Sequence, residues 1–142
     1  MTTVPFHYID LRAFAYATED DKRVEAALRT VLPPEYPIER EESEGYHGDR
    51  ILVLSSRVET ADDMRVVLDH IRELPTFDRI PRELDDRVTE NCELYLSIDK
   101  QAAFRGKIRD GDGIKVRAKI EAYPAKKSTA IAAVEPFFAS DS

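Results

Sequence analysis

Residues 114–123, IKVRAKIEAY, alternate apolar and polar side chains more regularly than any other stretch and predict a half-buried β-strand. Successive side chains of a strand point to opposite faces of its sheet. The apolar members therefore share one face: Ile114, Val116, Ala118, Ile120 and Ala122. The polar members share the other: Lys115, Arg117, Lys119, Glu121 and Tyr123. The stretch predicts a sheet with one buried face and one polar face that carries a row of cations.

This strand lies in the basic part of an acidic chain. The 142 residues include 28 Asp and Glu against 21 Lys and Arg, a net charge of −7. Between Asp99 and Lys127 there are nine basic and four acidic residues, a charge of +5, whereas the rest has 12 basic and 24 acidic residues, a charge of −12. Such a local reversal of sign suggests a surface for an anion.

The spacing of the basic strand also fits a nucleic acid. Cations at alternate strand positions lie roughly 6.5–7 Å apart, close to the distance between successive phosphates of a nucleic-acid strand. A tyrosine at position 95 or 123 could add a stacking surface if the two strands pair. The alternative is a solvated outer face whose cations pair with Glu93, Glu121 and other carboxylates, and the sequence leaves both readings open.

Patterns on either side of this strand predict the rest of the fold. Four more strands are predicted, over residues 6–17, 38–46, 51–58 and 92–98. Helical patterns separate them and give the order β-α-β-β-α-α-β-α-β-α. The order predicts an α+β fold, a single layered domain over residues 1–142 with a mixed or antiparallel sheet and helices on one face. The other face is expected to stay at least partly open.

Helix ends are predicted from capping residues and prolines. Thr18 with Asp21, and Thr60 with Asp63, resemble capping boxes, and Asp99 suits the start of a short helix. A last helix is predicted from Lys126 to Glu135, with Pro136 ending it.

Composition predicts a cytoplasmic protein. The apolar runs are far shorter than the roughly 20 residues that span a bilayer, and the first residues lack a signal-peptide pattern. The one cysteine, Cys92, cannot form an internal disulfide, and its alternation with Leu94 and Leu96 favours a place in the core. The acidic, lysine-poor composition fits a halophilic source or an ordinary acidic protein, and composition does not decide between them.

No enzyme motif is apparent, so we expect a protein without catalytic activity, cofactor or metal. The five glycines match no phosphate-binding signature, and the three histidines are scattered. Asp110 and Asp112 lie in a DGDG stretch that lacks the later glutamate of a calcium loop and predicts a turn instead. Tyr46 and His47 lie between two glycines, either as a plain hairpin loop or as a loop that stacks on a base or binds a phosphate.

Three segments resemble an archaeal family described as RNA-binding proteins or predicted exosome subunits. The stretch from Glu42 to Gly48, ESEGYHG, is similar to the family's E-x-E-G-H-H-G, and LYLSIDKQAA at residues 94–103 is similar to its strand ending in D-K-Q-A-A. IDLRAFAYATED at residues 9–20 resembles its I-R-A-F-x-H-A-T-E-D. Tyrosines stand at positions 16 and 46, where the family has histidines, and Asp49 and Arg50 replace an Asn and a Pro.

The resemblance implies a fold like that of the large-subunit ribosomal protein that binds 5S ribosomal RNA. It also implies structured RNA as the partner and association with exosome or ribosomal proteins. The residues expected to contact RNA are two loop residues and seven polar or basic residues of the basic part of the chain: Tyr46, His47, Lys100, Gln101, Arg105, Lys107, Lys115, Arg117 and Lys119. The alternative is a protein–protein interaction module of a larger RNA-processing assembly, docking through its acidic helices or a sheet edge without contacting RNA.

Overall fold

An antiparallel sheet forms the centre of the protein in a computed structural model, which describes residues 4–45 and 48–139. The strands are β1 (Phe6–Tyr16), β2 (Glu39–Glu44), β3 (Arg50–Val58), β4 (Glu93–Asp99) and β5 (Gly113–Ile120). Their spatial order is β2-β3-β1-β5-β4, and every neighbouring pair is antiparallel. The predicted α+β class and order of elements are confirmed, and the sheet is antiparallel rather than mixed.

The helices lie on one side of this sheet. They are α1 (Asp21–Val31), α2 (Ala61–Ile71), α3 (Ile80–Arg87), α4 (Lys100–Phe104) and α5 (Lys127–Ala139), with a 3₁₀ turn at Phe77–Arg79 before α3. The predicted apolar faces of the strands are buried and form one core with the apolar stripes of the helices. Cys92 belongs to that core, as its alternation predicts. None of the helices in the described part of the chain is long and apolar enough to cross a membrane.

Two of the three predicted helix starts are confirmed. Thr60 accepts a hydrogen bond from the Asp63 backbone N–H at 3.2 Å, and Asp99 accepts one from the Gln101 N–H at 3.0 Å. The prediction for Thr18 is wrong, because α1 begins at Asp21 and its cap is Asp20, which accepts from the Lys22 N–H at 2.9 Å. The start is later because the Glu19 N–H donates to the Tyr16 carbonyl at 2.8 Å, which closes a turn that includes Thr18.

The predicted end of the last helix is also wrong, since α5 continues through Pro136 to Ala139. Proline has no N–H to donate to the carbonyl four residues earlier, but both Pro136 and Ala132 are on the exposed side, where water can satisfy that carbonyl. Aromatic packing holds the last turn in place. The ring centroid of Phe138 is 5.5 Å from that of Phe77, and Phe137 packs edge-on against Phe6 at 6.3 Å.

The basic strand is shorter than predicted, because β5 ends at Ile120. Ala122 is still buried, but Tyr123 lies beyond the strand and is 79% exposed. It therefore does not join Tyr95 on the sheet surface, which removes one of the two stacking side chains considered from the sequence.

Candidate nucleic-acid interface

The side of the sheet away from the helices, here called the open face, carries polar side chains in cross-strand rows. One row crosses β3, β1, β5 and β4 at directly paired positions: Ser55, Arg12, Lys115 and Ser97. Neighbouring strands lie about 4.8 Å apart, so this row extends for about 14 Å across the sheet. All four side chains can donate hydrogen bonds, and we call the set the donor row.

A second row runs parallel to the donor row, two residues along each strand: Arg57, Asp10, Arg117 and Tyr95. Asp10 Oδ1 accepts from Arg57 Nε at 2.8 Å, and Oδ2 accepts from Nη2 of Arg57 at 3.0 Å and of Arg117 at 2.8 Å. One carboxylate thus fixes two guanidinium groups on the open face, and we call this set the clamped row.

The clamp changes the protonation equilibria of its members. Burial opposes the ionisation of Asp10, but hydrogen bonds from Arg57 and Arg117, together with their charges, hold the pKa of this carboxyl below its ordinary value. The hydrogen bond to Asp10 raises the pKa of each arginine, against some loss of hydration. The three side chains are therefore all charged at neutral pH.

Aromatic rings lie beside these rows. Tyr95 is 41% exposed at the end of the clamped row, and the Arg57 guanidinium stacks over the Tyr8 ring at 3.9 Å from its centroid. Phe14 follows Arg12 by two residues and is half-buried on the same face. A groove of about 760 Å³ includes both rows and the rings of Phe14 and Tyr95, with Glu39 at its β2 side. The groove offers cations, hydroxyls and aromatic surface within one concavity.

The three predicted strand cations lie on this face but differ in what they contact. Arg117 is held by Asp10, and its Nε lies 3.7 Å from Glu93 Oε2. Lys119 Nζ donates to the Asn91 carbonyl at 2.6 Å. Lys115 Nζ lies 3.0 Å from Asp112 Oδ1, but that carboxylate is 86% exposed, so water competes strongly with the pair.

Arg12 is a cation of this face that the sequence analysis did not select. It is exposed and makes no hydrogen bond or ion pair with any residue in the described ranges. The sequence pattern does place Arg12 on the polar side of β1, because it alternates with the buried Leu11 and Ala13. Only the pairing of β1 with β5 places it directly opposite Lys115, and that pairing cannot be read from either strand alone.

The other predicted contacts form the α4 end, which comprises Lys100, Gln101, Arg105 and Lys107. Gln101, Arg105 and Lys107 are exposed. Lys100 is different, because its side chain is only 12% exposed. Its Nζ lies 2.8 Å from Glu19 Oε2 and donates to the Phe14 carbonyl at 2.9 Å, so it ties the start of α4 to β1 and the loop that follows.

Tyr46 and His47 lie outside the described residues, so their contact role stays a prediction. The residues that flank them form the expected turn, since the Gly48 N–H donates to the Gly45 carbonyl at 3.0 Å and the Gly45 N–H to the Asp49 carbonyl at 2.7 Å. Arg50 then binds Asp21 at 2.9 Å and Glu42 at 2.7 Å, which joins the hairpin to α1. The turn lies at the same end of the sheet as the α4 end.

Within residues 4–45 and 48–139, no group of three or more His, Cys, Asp or Glu side chains is arranged to hold a metal ion. In the DGDG stretch, the Asp110 carboxylate accepts a hydrogen bond from the Thr76 hydroxyl, and Asp112 pairs with Lys115. The open face instead carries cations, hydroxyls and aromatic rings.

An α+β protein with helices on one side and an open antiparallel sheet bearing cations and tyrosines belongs to a class that can bind an extended anionic polymer. Sequence comparison then identifies the chain's relatives. A family model described as "RNA binding" matches residues 8–120, and the chain belongs to that family. The match includes both rows of the open face and the α4 end.

Individual relatives come from archaea. The chain is 35% identical over 139 residues to "RNA-binding protein PAB1135" of Pyrococcus abyssi, and the alignment covers 90% of each protein. Among solved structures, the DUF54 protein Mth689 of Methanothermobacter thermautotrophicus is 38% identical with a TM-score of 0.79, covering 94% of this chain and 98% of that one. Protein AF2318 of Archaeoglobus fulgidus is 26% identical with a TM-score of 0.80, covering 89% and 95%. The archaeal RNA-binding family that the three sequence segments resemble is confirmed.

Proposed function

We propose that the protein is a non-catalytic RNA-binding accessory protein that binds RNA on the open face of its sheet. The observation that carries the proposal is the pair formed by Arg12 and Lys115. They are direct cross-strand partners at the centre of the donor row, and the only carboxylate within ion-pair distance of either, among the described residues, is the exposed Asp112. Two adjacent, weakly neutralised cations on a rigid sheet suit a phosphate group.

The surroundings of this pair favour a nucleic acid over a small anion. Ser55 and Ser97 extend the donors on both sides, and side-chain hydroxyls commonly bind phosphate and sugar oxygens. Tyr95 and Phe14 add ring surfaces on which bases can stack. A row of donors with rings alongside matches the alternating charged and aromatic character of a polynucleotide.

The two predicted groups of contacts have different parts in this proposal. Arg117 and Lys119 contribute positive potential from fixed positions. Arg12 is unpaired within the described residues, and Lys115 can exchange the exposed Asp112 carboxylate and the Ser97 hydroxyl for a phosphate. Gln101, Arg105 and Lys107 form a secondary surface at the α4 end, and Tyr46 and His47 are kept as further contacts. Lys100 holds the fold together, since its ammonium is already bound by Glu19 and a carbonyl.

The direct test is RNA binding measured by fluorescence anisotropy in about 0.1 M KCl, with single-stranded and structured RNAs. Arg12→Glu/Lys115→Glu should weaken binding by at least tenfold, because it places two anions where phosphates are expected. The matched control is Arg105→Glu/Lys107→Glu, which changes the net charge equally on exposed residues of the α4 end. We expect less than a threefold change for that control.

Each outcome has a definite meaning. Equal losses in both variants would show that RNA responds to net charge and not to the open face. A larger loss in the α4 variant would move the interface to α4 and its following loop. No binding by the wild-type protein to any RNA while it remains folded would contradict the proposed function. Circular dichroism on each variant checks that the fold is retained.

A salt titration from about 0.1 to 2 M KCl tests the halophilic reading of the composition. At about 1 M salt the Debye length is roughly 3 Å, so attraction between separated charges contributes little. Binding that persists there depends on stacking and on hydrogen bonds from Ser55, Ser97 and Tyr95. An interface adapted to high salt should therefore lose little affinity over this range.

The alternative function, docking on a larger RNA-processing assembly without RNA contact, is favoured by one observation. Strand β2 is an edge strand whose six residues, EREESE, are all exposed. The family resemblance implies association with exosome or ribosomal proteins, and such proteins could bind to this acidic edge. Capture of exosome or ribosomal proteins that is lost on Glu41→Lys/Glu42→Lys, but not on Arg12→Glu/Lys115→Glu, would support this function.

A further inference from the structure

We infer that the open face recognises an unpaired RNA segment, such as the loop or end of a structured RNA, and not a duplex. The inference rests on the proposed function and specifies its substrate class. Three features of the open face carry it: the exposed ring of Tyr95, the single donor row and the glutamates at the β2 side.

The ring of Tyr95 requires an accessible base face. Tyr95 projects from β4 with 41% of its surface exposed, at the end of the clamped row. Bases within a duplex are stacked on both sides, so they cannot lie on a protein side chain, whereas bases of loops and ends can. A protein that bound duplex RNA would gain little from an aromatic ring at this place.

The donor row has room for one chain of phosphates. Its two cations, Arg12 and Lys115, are adjacent at the centre, and the row extends for about 14 Å in total. Beyond Ser55 the next cross-strand partner is Glu39, and Glu41 lies two residues further along β2 on the same face. A polyanion that extends past Ser55 toward β2 would meet these carboxylates. Charge on the open face thus favours a single strand.

The spacing between the phosphate position and the ring fits one nucleotide step. Tyr95 is the diagonal neighbour of Lys115, two residues along β4 from the directly paired Ser97. Diagonal neighbours in an antiparallel sheet lie about 7–8 Å apart, roughly the distance between successive phosphates. A phosphate held by Arg12 and Lys115 therefore leaves the base of an adjacent nucleotide within reach of the Tyr95 ring.

The position of Tyr95 is fixed before RNA binds. Its hydroxyl donates to Glu93 Oε1 at 3.2 Å, and its backbone carbonyl accepts from Arg87 Nη1 at 3.4 Å. The neighbouring guanidinium of Arg117 is fixed by Asp10, so the ring and the cation beside it are both held in place. Such preorganisation limits the entropy lost when a base stacks.

The test compares one fluorescent RNA of about 12 nucleotides in two forms, single-stranded and annealed to its complement, at about 0.15 M KCl. The wild-type protein should bind the single strand at least tenfold more tightly than the duplex. Tyr95→Ala should weaken single-strand binding about tenfold and duplex binding less than twofold. Tyr95→Phe keeps the ring and should bind within twofold of the wild type. Thermal melts confirm that these variants of an exposed residue fold normally.

The results separate this inference from the proposed function. Duplex binding as tight as single-strand binding overturns the inference, and so does a single-strand preference that Tyr95→Ala leaves unchanged. If either form binds and Arg12→Glu/Lys115→Glu abolishes that binding, the proposed function still stands. Failure of both forms to bind the folded wild-type protein overturns the proposed function itself.

Discussion

The open face and the α4 end both include cations from the basic stretch between Asp99 and Lys127, yet they differ in what those cations do. On the open face, Arg12 and Lys115 point to solvent from two paired strands, with stacking surfaces beside them. At the α4 end, Lys100 is held in an ion pair with Glu19, and Arg105 and Lys107 lie at the C-cap of a short helix and in the loop after it. One region is a preorganised surface, whereas the other combines a structural tie with scattered charges.

The difference shows why a charge count along the sequence is a weak guide to a binding site. The fold divides the basic window among the open face, the α4 end and the start of α5, where Lys127 lies 3.6 Å from Asp85. Meanwhile β1, far from that window in sequence, adds Arg12 to the open face. The functional unit is therefore a set of cross-strand neighbours and not a segment.

Breaking the ion pair between Lys100 and Glu19 should give the largest effect on stability. Lys100→Met removes the charge but keeps most of the side-chain volume. It leaves the Phe14 carbonyl without this donor and the Glu19 carboxylate with only the Tyr16 backbone N–H. Loss of one member of a poorly hydrated pair is strongly destabilising, and we expect the free energy of unfolding to fall by about 3 kcal/mol. Urea denaturation monitored by circular dichroism measures it.

Two controls sharpen this prediction. Lys107→Met removes an exposed cation of the same region and should change the stability by less than about 0.5 kcal/mol. Glu19→Gln/Lys100→Met removes both charges and should recover part of the loss. RNA affinity of folded Lys100→Met should stay within about twofold of the wild type. A stable Lys100→Met variant that loses RNA binding would contradict the structural role assigned here.

Most of the fold was accessible from the sequence because it depends on local periodicity. The alternation of β5 and the Thr60 and Asp99 caps each depend on a few neighbouring residues. Both caps appear as predicted, and the alternation holds up to Ile120, where β5 ends. The wrong predictions also concern single short segments, but their causes are contacts with residues distant in sequence. Pro136 stays within α5 because Phe137 and Phe138 pack against Phe6 and Phe77, which no reading of the helix alone can include.

The candidate site was less accessible because it depends on pairing between strands distant in sequence. Lys115, Arg117 and Lys119 could be placed on one face from their spacing, but their partners could not. Asp10 is 107 residues from Arg117, and only the register of β1 against β5 makes it the centre of the clamp. Cations that are equivalent in the strand pattern therefore differ in their hydrogen bonds and ion pairs, which depend on residues from neighbouring strands.

Breaking the clamp should give a smaller effect that depends on pH. Asp10→Asn removes charge-assisted hydrogen bonds to Arg57 and Arg117, and we expect it to lower the free energy of unfolding by about 2 kcal/mol at pH 7. Because the folded-state pKa of Asp10 lies below its unfolded value, the stabilisation is present above about pH 4 and is lost as the pH falls through the folded-state pKa. The difference between the wild type and Asp10→Asn should therefore be largest near neutral pH and shrink below about pH 4.

Other carboxylates titrate in the same range, so this prediction concerns the difference between the two proteins. Hydrogen bonds from Lys100 and from the Tyr16 backbone outweigh burial and lower the pKa of Glu19, but Glu19 is present in both proteins. Urea denaturation at intervals from about pH 2.5 to 7 gives the difference directly. A difference that does not change with pH would mean that Asp10 stabilises through packing and not through its charge.

The smallest expected effect on stability comes from removing the Asp99 cap at the start of α4. Asp99 accepts from the Gln101 N–H at 3.0 Å, so Asp99→Ala leaves that first-turn donor unpaired and should lower the free energy of unfolding by about 1 kcal/mol. Asp99→Asn retains an equivalent acceptor and should be within about 0.5 kcal/mol of the wild type. Equal losses in both variants would show that the Asp99 charge, and not its capping bond, stabilises this end. Urea denaturation at pH 7 distinguishes a role of the Asp99 charge from a role of its capping bond. RNA binding gives a second measurement. If Arg12→Glu/Lys115→Glu weakens RNA binding equally with and without Asp99→Ala, the open face binds RNA independently of the α4 cap.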